Sequence, residues 1–202
     1  MSDTAAGARE HTEHGRERKQ QLLDAATALF SERGYSATRI ADICQAAGVA
    51  KGLFYWYFPN KGALFAELVR TMRHRLRRTQ GDAMDPATDV VTRLADGAEA
   101  SVRFMAEHAS YFALLDVERT EPAVADVLTE GSAVYLDDVR RLVVEGQRSG
   151  VIADASADLV AVGVVGAVSS FSNAYRTGRF GDGVTTDDVA VFVRQWVVNA
   201  IG

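Results

Sequence analysis

The residues with the clearest chemical purpose lie between Thr38 and Lys61, which read TRIADICQAAGVAKGLFYWYFPNK. Lys51, Gly52, Leu53, Tyr55 and Trp56 combine one cation, a glycine that admits close approach of a backbone, and adjacent aromatic and aliphatic side chains. Such a set suits a phosphate backbone and base edges better than plain solvent. Three consecutive aromatics, Tyr55, Trp56 and Tyr57, cannot all enter one core if they are helical, because successive residues diverge by about 100° around the axis. With Phe54, Tyr57 and Phe58 inward, Tyr55 and Trp56 project outward.

Other chemistries find no comparable support. Neither a G-x-S-x-G elbow nor a P-loop is present, and the paired carboxylates Asp137-Asp138 and Asp187-Asp188 are adjacent, so on helices they diverge. His11, His14, His74 and His108 have no metal-ligand spacing, and the single cysteine, Cys44, offers them no help. The chain is therefore expected not to be an enzyme, with no catalytic residues, no metal and no cofactor. Cys44 is read as small core packing, with redox sensing as the weaker alternative.

Two short helices must position the reading residues. Gly48 can supply the positive φ of a tight turn between a helix at about Arg39 to Ala47 and another at about Ala50 to Tyr57. Around that turn Ile40, Ile43, Ala47, Val49, Phe54 and Tyr57 recur at helical spacing and face one core. Thr38 precedes the first of these helices, where its hydroxyl can cap the helix and lie near a phosphate oxygen. Arg39 either contacts phosphate or is solvated.

The segment from Arg18 to Leu68 resembles the DNA-binding domain of the tetracycline-repressor (TetR) family. The resemblance rests on the AATALF run, Arg33-Gly34-Tyr35, Thr38, Asp42-Ile43, Ala46-Ala47-Gly48-Val49, Gly52, Tyr55, Tyr57-Phe58 and Lys61, in order and spacing. Cys44 stands in place of the usual Ala, Leu53 where a small or hydroxylated residue is common, and Gly62 where Glu commonly follows the Lys. The resemblance implies that Tyr55, Tyr57 and Lys61 touch phosphates while Lys51, Gly52, Leu53 and Trp56 face the groove. Carried over by position, Lys51 reads guanine O6 or N7 and Leu53 meets a thymine methyl.

The formal net charge of −5 over 202 residues looks wrong for a DNA binder until it is divided along the chain. Residues 1 to 80 carry +5 and residues 81 to 202 carry −10. That asymmetry assigns DNA to the N-terminal part. No apolar segment suggests a secretory signal in residues 1 to 20, and the uncharged run from Leu159 to Tyr175, 17 residues long, reads as a buried soluble helix rather than a membrane span. A cytoplasmic protein without a membrane partner is expected.

The fold expected is all-α. Residues 1–17 form a flexible arm, with Arg9, His11, His14 and Arg16 among acidic neighbours; residues 18–80 form the helix-turn-helix domain with a linking fourth helix; residues 81–202 form a helical body. A first helix spans about Arg18 to Arg33 and is ended by Gly34. Asn60 caps the fourth helix, which finishes in the basic run Arg70 to Arg78, either a solvated helix end or a phosphate contact. Gly81 to Asp85 marks a boundary, followed by helices near Thr88 to His108, Ser110 to Arg119, Pro122 to Ser149, Ser156 to Thr177 and Thr186 to Ile201.

The Ser156 to Thr177 helix is small-sided and apolar all round, so it must be buried on more than one face. The resemblance implies that the last two helices form a four-helix dimer interface, with Val160, Val164, Val168, Phe171, Phe192 and Trp196 as candidates. It further implies a homodimer on a pseudo-palindromic double-stranded operator, released by a small molecule entering the body. The candidate effector contacts are Phe104, Met105, His108, Tyr111, Phe112, Leu115, Tyr135 and Phe171, which point to a hydrophobic ligand. The same residues also serve to build a core. A ligand-independent regulator or an activator with the same head is the alternative.

Overall fold

The computed structural model describes the backbone of residues 3–118 and 122–202, and the side chains of 14–115, 129 and 133–202. The expected helix end at Arg119 and the arm side chains Arg9 and His11 lie outside the described residues. Among the described residues the architecture is helical throughout: α1 (Asp3–Arg33), α2 (Ile40–Ala46), α3 (Lys51–Tyr57), α4 (Lys61–Ala83), α5 (Val90–Glu107), α6 (Ala109–Glu118), α7 (Pro122–Ser149), α8 (Ala157–Arg176) and α9 (Thr186–Ile201). Punctuation in the sequence explains most of these bounds. Gly34 adopts φ 81° and ends α1. The side-chain amide oxygen of Asn60 accepts from Ala63 N at 2.8 Å and starts α4. Asp89, Ser156 and Thr185 cap α5, α8 and α9 through their side chains.

Two expectations about organisation are corrected. The segment expected to be a flexible arm is helical from Asp3, continuous with α1. It contains no proline, and its Ala, Arg and Glu content sustains the helix without an apolar stripe. The boundary expected at Gly81 falls inside α4, because one glycine costs a helix only about 1 kcal/mol and does not by itself terminate it. The chain instead divides into one unit of residues 1–69 with 110–126, and another of 70–109 with 127–202.

In the first unit Leu22, Ala26, Leu29 and Phe30 of α1 form a buried stripe. Phe30, Tyr35 and Phe65 make a mutual aromatic cluster with ring centroids 5.3 to 5.9 Å apart. Lys19 pairs with Glu67, 48 residues away. In the second unit α5 packs against α8 and α9, with Leu94, Ala95, Ala98, Val102, Val164, Val168, Val193 and Val197 at the centre of the core. Arg194 bridges to Asp96 at 2.8 Å and Arg93 to Glu145 at 2.7 Å along its surface.

The expectation that α8 is buried on more than one face is not met within the chain. Ala161, Val164, Val168 and Ser172 are buried, but Leu159 is 73% and Val162 53% exposed. A helix of 20 residues can be apolar all round and still have a single face covered by its own chain. By length and composition α8 is also long and apolar enough to cross a membrane.

Candidate nucleic-acid interface

The helix-turn-helix is held from beneath. Ile43 and Phe54 are fully buried and Cys44 nearly so. Gly48 takes φ 64° between α2 and α3, a left-handed conformation that L side chains resist. Burial pushes the Cys44 thiol above its ordinary value, opposed in part by the charge of Lys51, so it remains a protonated packing group.

Above this floor α3 presents a reading face. Lys51 and Gly52 are exposed, and a Cβ added at Gly52 would meet nothing within 4 Å. Tyr55 is 48% and Trp56 74% exposed, while Phe54 between Leu53 and Tyr55 is fully buried. Leu53 is half-buried. The Lys51 ammonium lies 5.9 Å from the Tyr55 ring centroid, one helical turn on, and the Trp56 indole stands edge-on to Tyr57 with centroids 4.6 Å apart. These contacts prop two long side chains in place before any ligand arrives.

One expected contact, Thr38, is corrected, and two others, Tyr57 and Lys61, also have partners inside the fold. Thr38 is buried, and its hydroxyl donates to Gly34 O at 2.8 Å and Leu29 O at 3.3 Å, so it neither caps α2 nor faces solvent. The cap is Arg39, exposed, whose backbone N–H donates to the Asp42 carboxylate at 3.2 Å. Tyr57 is half-buried and spends its single hydroxyl proton on Gly15 O at 2.8 Å, which ties α3 to α1. Lys61 turns its ammonium toward the carbonyls of Tyr35 and Thr38, at 2.6 and 2.9 Å. In each case a polar group at a turn found a carbonyl inside the fold. The fasteners Gly15, Lys19, Asp42 and Glu67 were missed; their partners, Asp42 aside, are too remote in the chain for any local spacing to reveal.

The expected effector contacts fall in both units. Tyr111, Phe112 and Leu115 belong to the first, where Tyr111 is buried. Phe104, Met105, His108, Tyr135 and Phe171 belong to the second. Phe104 is buried and stacks on His108 at 4.1 Å, and the His108 ring nitrogen pairs with Phe104 O at 2.9 Å, closing the end of α5. Met105, Tyr135 and Phe171 pack against the core. Near them lies a polar group: Gln80 donates to Ser101 Oγ at 2.8 Å, and Ser101 donates to Gly97 O at 2.6 Å. Tyr135 OH is 3.4 Å from Ser101, and burial raises its phenol above the ordinary range. A cleft of about 290 Å³ between α7 and α8 is lined by Ala133, Leu136, Asp137, Arg140, Asp158, Ala161 and Val162, none of them an expected contact.

Of the expected dimer contacts, Val164 and Val168 are corrected to core positions at 2% and 1% exposure. Val160 and Phe171 are half-buried, and Phe192 and Trp196 exposed. The outward stripes are Leu159, Val162, Gly163 and Gly166 on α8 with Val191, Phe192 and Trp196 on α9. Among the described residues no cluster of His, Cys, Asp or Glu suits a metal ion.

Comparison with known proteins agrees with this geometry. Residues 22–68 match the family model of bacterial regulatory proteins, tetR family, and residues 87–197 match the Tetracyclin repressor-like C-terminal domain. The chain is 34% identical over 152 residues to the transcriptional activator FasR of Mycolicibacterium smegmatis, covering 74% of this chain and 68% of that one. It is 30% identical over 148 residues to the transcriptional repressor DhaR of Mycobacterium sp., covering 71% and 74%. The chain spans less than two thirds of some relatives, 63% in the case of an uncharacterised regulator of Bacillus subtilis. The fatty acid degradation regulator FadR of Bacillus halodurans superposes with a TM-score of 0.79 at 22% identity, over 91% of this chain and 99% of that one. A buried helix-turn-helix floor, an aromatic and cationic α3 face and a matched helical body agree: the chain belongs to the tetR family of bacterial regulatory proteins.

Proposed function

We propose that this protein is a ligand-responsive repressor that acts in the cytoplasm as a homodimer on a pseudo-palindromic operator. The observation that carries the DNA contact is the split of α3 into a fully buried Phe54 and an exposed face of Lys51, Gly52, Tyr55 and Trp56. That face suits a major groove, with Lys51 directed to guanine and Leu53 to a thymine methyl. Arg39, exposed at the start of α2, adds a phosphate contact. Exposed apolar side chains on α8 and α9 support the dimer, since monomers seldom leave such a patch uncovered. Phe192→Glu should shift the protein to monomer in sedimentation velocity and abolish tight binding to a two-half-site duplex. A dimer unaffected by that change would remove the proposed interface.

The effector is proposed to be hydrophobic and to enter the body lined by Phe104, Met105, Tyr135 and Phe171. To release DNA it must prefer the non-binding state, and a preference of about 100-fold supplies roughly 2.7 kcal/mol. A panel of lipids, drugs and aromatic acids that leaves both melting temperature and duplex affinity unchanged would argue for a ligand-independent regulator. An activator is the second reading, favoured by the resemblance to FasR. Deleting the gene decides between them: target transcripts rise for a repressor and fall for an activator.

A further inference from the structure

The outward side of α8 carries opposite charges at its two ends. Asp158 lies in the first turn, with its side chain 74% exposed, and Arg176 lies in the last turn, half-buried. From 158 to 176, steps of about 100° add up to about five full turns, so the two lie on one side of the helix, about 27 Å apart. Asp154 ahead of the helix and Arg179 after it are exposed and repeat the two signs. Between the ends Leu159, Val162, Gly166, Ser170 and Asn173 are exposed. Nothing of the chain's own covers Gly166, where an added Cβ meets no atom within 4 Å. Asp158 bridges to Arg140 of α7 at 2.8 Å, and Arg176 donates to the Asn173 side chain at 2.8 Å. A carboxylate with four lone-pair sites and a guanidinium with five N–H groups each retain capacity for a second partner.

A side of this kind is complementary to itself. A two-fold axis that brings up a second α8 antiparallel sets Asp158 against the partner's Arg176, and Arg176 against the partner's Asp158. The midpoint of the pair falls beside Gly166, where a missing side chain lets the two backbones approach. A parallel crossing sets each end on its like and aligns the two helix dipoles. We propose that the order of charge along α8 selects a second copy of this chain and fixes its register, the two α8 helices crossing antiparallel at Gly166. The proposal rests on the homodimer reading and goes beyond it by naming what chooses the partner. Apolar area drives association but has no direction; charges at two ends do, and they penalise a helix that carries the signs in another order.

Charge reversal tests the pairing. Asp158→Arg and Arg176→Asp are made separately, dimerisation is followed by sedimentation velocity over a concentration series, and thermal melting checks folding. Each change puts two like-charge contacts into the dimer. At about tenfold per contact the dissociation constant rises about 100-fold. Mixing the two variants restores opposite charges at both contacts, and tight dimers are expected to return as heterodimers. Single variants that dimerise like the wild type overturn the proposal and leave the homodimer reading intact, as does a mixture that stays monomeric. A wild type that is monomeric throughout overturns both. If either variant does not fold, cysteine cross-linking decides, with the wild type and its buried Cys44 as the blank. Gly166→Cys is expected to form a disulfide-linked dimer under mild oxidation. Asn173→Cys, about 10 Å along the helix from the crossing, stands about 21 Å from its counterpart in an antiparallel pair and is expected to form none. Linkage at both positions, at Asn173→Cys alone or at neither overturns the proposal.

Discussion

Replacing Phe54 and Trp56 separately by Ala tests whether α3 is oriented as described, because the two residues lie two apart on one helix and have opposite surroundings. Phe54 is fully buried beside Phe58, with ring centroids 5.8 Å apart. Its truncation removes a large side chain from the floor of the helix-turn-helix and is expected to cost about 3–5 kcal/mol. Trp56 is 74% exposed, so its truncation changes stability by no more than about 0.5 kcal/mol. The binding cost runs the other way. A tryptophan side chain offers up to about 250 Å², and at 74% exposure about 185 Å² of it remains to be covered. If DNA covers half, about 25 cal/mol per Å² gives roughly 2 kcal/mol per head, or about 30-fold in affinity. Urea titration followed by fluorescence anisotropy on a recovered duplex measures both quantities. Equal stability losses for the two variants, or unaltered DNA affinity for Trp56→Ala, would refute the orientation of α3.

Gly48→Ala should cost about 1–2 kcal/mol through its positive φ alone, since a Cβ there has open space; a neutral result in thermal melting would mean the turn is not left-handed. Asp89 and Asp188 accept hydrogen bonds from Thr92 and Thr185, which hold both carboxyls below the ordinary carboxylate value. Their stabilisation is therefore complete above the unfolded value near 3.8 and is lost as pH falls through the lowered folded values. The wild type should thus lose more melting temperature between pH 5 and strong acid than Asp89→Asn/Asp188→Asn, and parallel losses would exclude these caps as the cause. Cys44 should resist alkylation by iodoacetamide in the folded protein and react readily in urea, because burial keeps the thiol protonated; rapid labelling of the native state would contradict its placement.

Helix positions were legible because their signals are local: Gly34 and Gly48 with their positive φ, and Asn60 at the start of α4. The inward and outward sides of α3 were legible for the same reason, as adjacent aromatics must diverge. What escaped was pairing across distance. Thr38, Tyr57 and Lys61 carry donors that look free in a linear reading, but their acceptors sit 4 to 42 residues away, on backbone carbonyls that no side-chain pattern encodes. For α8 the limit was different. Apolar composition says how much surface seeks cover, whereas only packing reveals that Val164 and Val168 take the chain's own cover and Leu159 and Val162 do not.

The unit that carries the helix-turn-helix includes residues 110–126 as well as 1–69, and Ser31 Oγ donates to Ser110 O at 3.2 Å across that gap. Synthesis therefore delivers its last structural piece some forty residues after α2, α3 and the start of α4 have left the ribosome. At about 5–20 residues per second the early helices wait for several seconds before Tyr111 and Leu114 bury themselves. A fragment cut after residue 80, the natural choice from charge and motif alone, would deprive that unit of α6 for good.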